Sequence, residues 1–154
     1  MSANKLQPPP EGDLNKIEKI YPELGKWFRL LADMFNPPAW REIDDAGGKN
    51  PAFENSWDNV GSPYANAAFY KDGFGIVRLQ GRIDTGTTAT VAFTLPAGYR
   101  PSDEVALTAH NTAGGPGPGG ATVWIKVEAD GKVTPNYSAG ADVSLDNVTF
   151  RVAQ

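Results

Sequence analysis

The chain has no cysteine and a single histidine, His110. Without cysteine there are no disulfides and no thiolate metal sites, and the redox compartment is left undetermined. His110 has no second His or Cys to complete a metal site, and it falls on the polar side of an alternating segment, so it reads as a surface histidine. No apolar run approaches the ~20 residues of a membrane span. The opening residues, Met1-Ser2-Ala3-Asn4-Lys5-Leu6-Gln7-Pro8-Pro9-Pro10, lack the apolar core of a signal peptide. The expectation is a protein made in a cytoplasm that stays soluble unless it is exported without a signal. Basic residues are scattered singly, and 14 Lys and Arg against 18 Asp and Glu leave a formal net charge of -4. That balance argues against nucleic acid and against an anionic membrane as partners.

Catalytic patterns are missing as well. No serine sits in a nucleophile-elbow context, no glycine-rich phosphate loop leads into a helix, and no EF-hand spacing occurs. The carboxylates Asp44, Asp45, Asp58, Asp84, Asp103, Glu104, Asp142 and Asp146 fall mainly at turns and strand ends. Turn chemistry accounts for them, although a carboxylate pair across a cleft could support glycoside hydrolysis. The expectation is a protein that is not an enzyme and that needs no cofactor and no metal.

What the chain does have is a change of pattern at Asn36-Pro37-Pro38-Ala39-Trp40. Before it, Leu14, Ile17, Tyr21, Leu24, Phe28, Leu31 and Phe35 are spaced 3, 4, 3, 4, 3, 4, the a/d pattern of a coiled coil. Asp13 is placed to cap the start, and Pro37 and Pro38 stop the helix. The bulky Phe and Tyr at seam positions favour three strands over two. Pro22 and Gly25 oppose one continuous coil: the helix kinks at Tyr21, or a second helix starts with Pro22 in its first turn. Ile20, Trp27, Leu30 and Met34 widen the apolar stripe. Two readings stand, a self-associating stem and an amphipathic helix packed on its own β domain. The polar segment 1–12, with three consecutive prolines, is expected to be extended, either as an arm that docks on a larger assembly or as a disordered end.

After the break, the apolar period becomes two. Val77, Leu79, Gly81 and Ile83 alternate with Ile76, Arg78, Gln80 and Arg82. Val91, Phe93 and Leu95 form a second set; Val105, Leu107 and Ala109 a third; Val123, Ile125 and Val127 a fourth; Val148, Phe150 and Val152 a fifth. Residues 66–71, 132–137 and 142–145 are weaker strand candidates. Asp72-Gly73 and Asp130-Gly131 carry the dipeptide that supplies a positive φ in tight hairpins. The fold class expected is mainly β: an antiparallel, jelly-roll-like β-sandwich head over 40–154, preceded by a short helical stem over 13–36 and an attachment arm over 1–12. The breaker Gly114-Gly115-Pro116-Gly117-Pro118-Gly119-Gly120 separates two strands and is either a binding loop or a plain linker.

Trp124 falls on the polar side of its strand with Lys126. Three readings compete for it: a sugar-stacking platform, a contact between subunits, or the core of a second sheet packed on that side. Trp57, Tyr64, Phe69 and Tyr70 flank glycine- and proline-rich turns and read mostly as core.

Four stretches, in order and at ordinary spacing, carry a resemblance. They are Asn55-Ser56-Trp57-Asp58-Asn59, the segment from Tyr70 through Asp72-Gly73-Phe74-Gly75 to Gly81, Phe93-Thr94-Leu95-Pro96-Ala97-Gly98-Tyr99-Arg100-Pro101, and Leu145-Asp146-Asn147-Val148-Thr149-Phe150. Over most of 52–152 the chain resembles the C-terminal β module of minor tail and tail-fibre proteins of tailed bacteriophages, especially those of Gram-positive hosts. That resemblance implies a trimeric virion component at a tail tip or fibre end, and some members of the family contact host-surface saccharide. The family has no fixed catalytic or binding residues, so none is carried over. With Met1 only forty residues before the head, a small tail-tip spike, a head fibre or a capsid decoration protein fits better than a long fibre. The expected partners are a homotrimer of itself, other virion proteins through 1–12, and host cell-surface glycan. Capsid decoration without a receptor role is the alternative, and a glycan depolymerase is a more distant one.

Overall fold

The computed structural model describes residue 19 and residues 21–36, 38–44, 50–111, 121–136 and 142–153. Leu14, Ile17, Asp13, Ile20, the arm 1–12 and the loop Gly114–Gly120 lie outside these residues.

Helix α1 spans Pro22–Phe35, with Tyr21 at its N-cap. Pro22 occupies the first turn, where its missing N–H would have had no helical partner in any case. The Gly25 N–H donates to the Tyr21 carbonyl at 3.1 Å. Pro22 therefore begins this helix and does not interrupt it. The helix closes with the Asn36 N–H on the Ala32 carbonyl at 3.0 Å. Asn36 itself is extended (φ -93, ψ 107), the conformation that a following proline imposes.

The described chain divides into two compact units. The smaller contains α1 and residues 72–74; the larger contains the chain from Pro38 onward without 72–74. Within the smaller unit Gly73 lies against the helix backbone, and an added Cβ would come 2.5 Å from Met34 Cα. Phe35 and Phe74 meet edge to face with ring centroids 6.1 Å apart.

The larger unit is built from antiparallel sheets. One has the order β1-β3-β4-β11, from strands Arg41–Glu42 (β1), Ala68–Lys71 (β3), Ile76–Gln80 (β4) and Thr149–Arg151 (β11). The other has the order β2-β5-β10-β7-β8-β9-β6. Its strands are Asp58–Asn59 (β2), Arg82–Asp84 (β5), Phe93–Thr94 (β6), Val105–Asn111 (β7), Ala121–Val127 (β8), Lys132–Asn136 (β9) and Val143–Ser144 (β10).

A bent two-stranded ribbon links the sheets. The segment 76–84 supplies β4 to one sheet and β5 to the other, and 143–151 runs antiparallel to it as β10 and β11. The register is Arg78↔Thr149 on one side of the bend and Arg82↔Ser144 on the other, so the second strand carries one extra residue. This is the bulge by which a strand turns a corner between sheets. Gly81 sits at the corner with φ +97, its N–H on Asp146 Oδ1 at 2.8 Å and its carbonyl accepting the Leu145 N–H at 2.8 Å.

Val77, Leu79, Gly81 and Ile83 are all buried, as their alternation predicts. Val77, Leu79 and Ile83 join Phe69, Phe93, Leu95, Ile125, Val127, Val133, Val143 and Phe150 in a core drawn from both sheets. Each fully buried Leu, Val or Phe side chain contributes roughly 1.5–3 kcal/mol of transfer free energy. In the hairpin after β3 the positive φ belongs to Gly75 (φ +78) and not to Gly73, whose role is the close approach to Met34. In the β8–β9 hairpin Gly131 does take the positive φ (+93), with its N–H on the Glu128 carbonyl at 2.8 Å.

Candidate functional site

The outer face of the larger sheet carries the exposed aromatic. On β8, Val123, Ile125 and Val127 turn into the core, which sends Thr122, Trp124 and Lys126 outward. Trp124 is 47% exposed, and no further layer of the described residues covers it. Thr108 on β7 and Asn136 on β9 stand directly opposite it on either side. Lys126 stands opposite Ala106 and Thr134.

The segment before β6 closes one side of this surface. The Ala89 N–H donates to the Pro135 carbonyl at 3.0 Å, beyond the point where β6 stops pairing with β9. Pro135 fits there because its missing N–H faces the side where the ladder has ended. The result is a recess of 140 Å³ lined by Ala89, Trp124, Lys126, Thr134 and Asn136. Two carboxylates share the Lys126 ammonium, Glu128 at 2.5 Å and Glu104 at 3.7 Å. The hydrogen bond to Glu128 is the chief reason its pKa lies above the ordinary lysine value.

The predicted stem residues are placed in part. Leu14 and Ile17 lie outside the described residues. Tyr21, Leu24, Phe28 and Phe35 are exposed, Leu31 is half-buried, and Trp27 and Leu30 extend the exposed apolar surface, at 36–67% exposure for the six exposed side chains. Trp27 and Phe28 touch edge to face at 5.4 Å. In α1 Gly25 is the buried residue.

Three of the carboxylates noted in the sequence come together beside Arg82. Asp58 and Asp84 are cross-strand partners, and Arg82 pairs with Asp142 at 3.2 Å while its guanidinium lies 4.0 Å from the centre of the Tyr64 ring. Burial, followed by the charges of Asp142 and Asp58, raises the Asp84 pKa. Among the described residues no group of three or more His, Cys, Asp or Glu is arranged to hold a metal ion. Asp146 is a corner ligand, accepting the Gly81 N–H through Oδ1 and the Ser144 hydroxyl through Oδ2 at 2.9 Å. His110 is exposed on β7, opposite Thr122.

Sequence patterning found Trp124 and Lys126 but missed their companions. Asn136 and Thr134 lie in the weakly patterned segment 132–137, where Pro135 obscures the strand. Ala89, with φ +59, is part of a connection that has no period to read.

No family model and no curated protein matches the chain. Among solved structures, it is similar to the receptor binding protein gp15 of Listeria phage PSA, at 15% sequence identity and a TM-score of 0.61. The match covers 97% of this chain and 83% of that one. At that identity the likeness is one of fold.

Proposed function

We propose that the chain is a homotrimeric virion component of a tailed bacteriophage, displayed at the tail, whose head binds host-surface saccharide. In this reading residues 1–12 dock on other virion proteins, 13–36 associate as a stem, and 40–154 form the displayed head, a jelly-roll-like sandwich. The observation that carries it is the fold likeness to a phage receptor binding protein over nearly the whole chain. The exposed apolar face of α1 supports the stem: Tyr21, Leu24, Phe28 and Phe35 keep heptad spacing and remain in contact with solvent. Three heads on one stem would multiply weak single-site contacts through effective concentration. The action proposed is binding and not catalysis.

Fluorescently labelled protein offered to host cells and to purified virions tests this reading. Saturable binding to cells, competed by extracted surface glycan, is expected. Binding to capsids with none to cells would assign the chain to decoration. Release of reducing ends from host glycan would make it a depolymerase.

A further inference from the structure

We infer that the recess at Trp124 is a binding site for a single uncharged sugar ring. The inference rests on the display reading above and gives that head a location and a ligand class. An exposed indole offers a flat apolar face to the C–H side of a pyranoside, and the polar groups around it match the ring's hydroxyls. Asn136 supplies an amide that both donates and accepts, while Thr134 and Lys126 add a hydroxyl and an ammonium. The indole N–H makes no hydrogen bond to any described residue, so it too is free to donate to a ligand.

The size and charge of the recess narrow the ligand. Its 140 Å³ falls well below the ~300 Å³ at which drug-sized pockets begin, which suits one ring and not an oligosaccharide. Lys126 is already engaged by Glu128 and Glu104, so carboxylates outnumber the ammonium and a phosphate or uronate would meet net negative charge. A contact between subunits is the competing use of an exposed indole, and the native mass of Trp124→Ala distinguishes the two.

The test is a titration of the full chain followed by NMR of the four tryptophan indole signals, with Trp124 assigned by its loss in Trp124→Phe. The neutral probes are methyl α-D-glucopyranoside, methyl α-L-rhamnopyranoside and the methyl β-glycoside of N-acetylglucosamine. The anionic probes are galacturonate and glycerol phosphate. At least one neutral probe is expected to shift the Trp124 indole and the Asn136 side-chain amide with a millimolar dissociation constant. Trp124→Ala should weaken that binding about tenfold or more, and the anionic probes should bind at least about tenfold more weakly than the best neutral one. Glu104→Gln should narrow the gap. The inference is overturned if no neutral probe shifts Trp124, if an anionic probe binds more tightly, or if Trp124→Ala lowers the native mass and so reveals a subunit contact. The titration reads the recess alone, so its failure leaves the virion assignment to be judged by particle labelling.

Discussion

Gly81→Ala tests the corner on which both sheets depend. The residue has φ +97, where an L side chain is strained by about 1–2 kcal/mol. The new Cβ would also lie 2.4 Å from the Asn66 carbonyl oxygen, 2.5 Å from its carbon and 2.6 Å from the Ala67 nitrogen. Those are backbone atoms of a segment that cannot easily retreat. The Ala67 N–H is held by Asn59 Oδ1 at 2.6 Å, and the Ala67 carbonyl accepts the Ile43 N–H at 2.8 Å. Relieving the clash costs an overpacking strain of roughly 1–3 kcal/mol, or one or two of those hydrogen bonds. The total is about 2–5 kcal/mol, which at a urea slope of ~2 kcal/mol/M moves the unfolding midpoint by roughly 1–2.5 M. Gly98→Ala is the control. It has φ +86 but only Lys71 Nζ at 3.9 Å, so it should show the backbone cost without the clash. Urea unfolding of the full chain, followed by circular dichroism, compares the two. If Gly81→Ala unfolds at the same midpoint as Gly98→Ala, the close approach of Asn66 and Ala67 to Gly81 does not constrain the corner.

Other expectations follow from the helix and from the acidic group. Replacing Leu24 and Phe28 together by Glu should reduce the native mass from three chains to one while leaving the head's β spectrum intact, and an unchanged mass would remove the stem from the proposal. Asp84→Asn should stabilise the protein at neutral pH by up to about 1 kcal/mol, since the variant removes a charge that burial disfavours and that Asp142 and Asp58 repel. The sign follows from the raised folded-state pKa. The wild type keeps its full stability when Asp84 is protonated in both states and loses some as pH climbs through the folded value. The gain should therefore fade toward acid pH, below the ordinary carboxylate range, and thermal melts at acid and neutral pH will show whether it does.

Some of this structure is written plainly in the sequence. Alternation picks out the buried faces of β4, β5 and β8, because a strand covered on one side must send every second residue inward. The end of α1 is equally clear, since Pro37 constrains Asn36. Pro22 is ambiguous in sequence: its ring suits a first turn and disrupts an interior, and the positions before it decide which applies. The two-residue strands β1 and β2 are too short to show any period. Gly81 carries the right parity for the inner face, yet its role at the corner depends on Asp146, 65 residues away. Trp124 is legible as an outward residue, but the recess around it needs Asn136 and Ala89, which long-range pairing brings to its side. The meeting of Asp58, Asp84 and Asp142 is likewise a product of register. None of the three is close in sequence to another.

Immunogold electron microscopy with antibody to this chain, on intact particles from the cells that produce it, reads where the protein is displayed. Gold is expected at the tail tip or fibre ends. Particles without label, or label confined to the capsid surface, would contradict display at the tail.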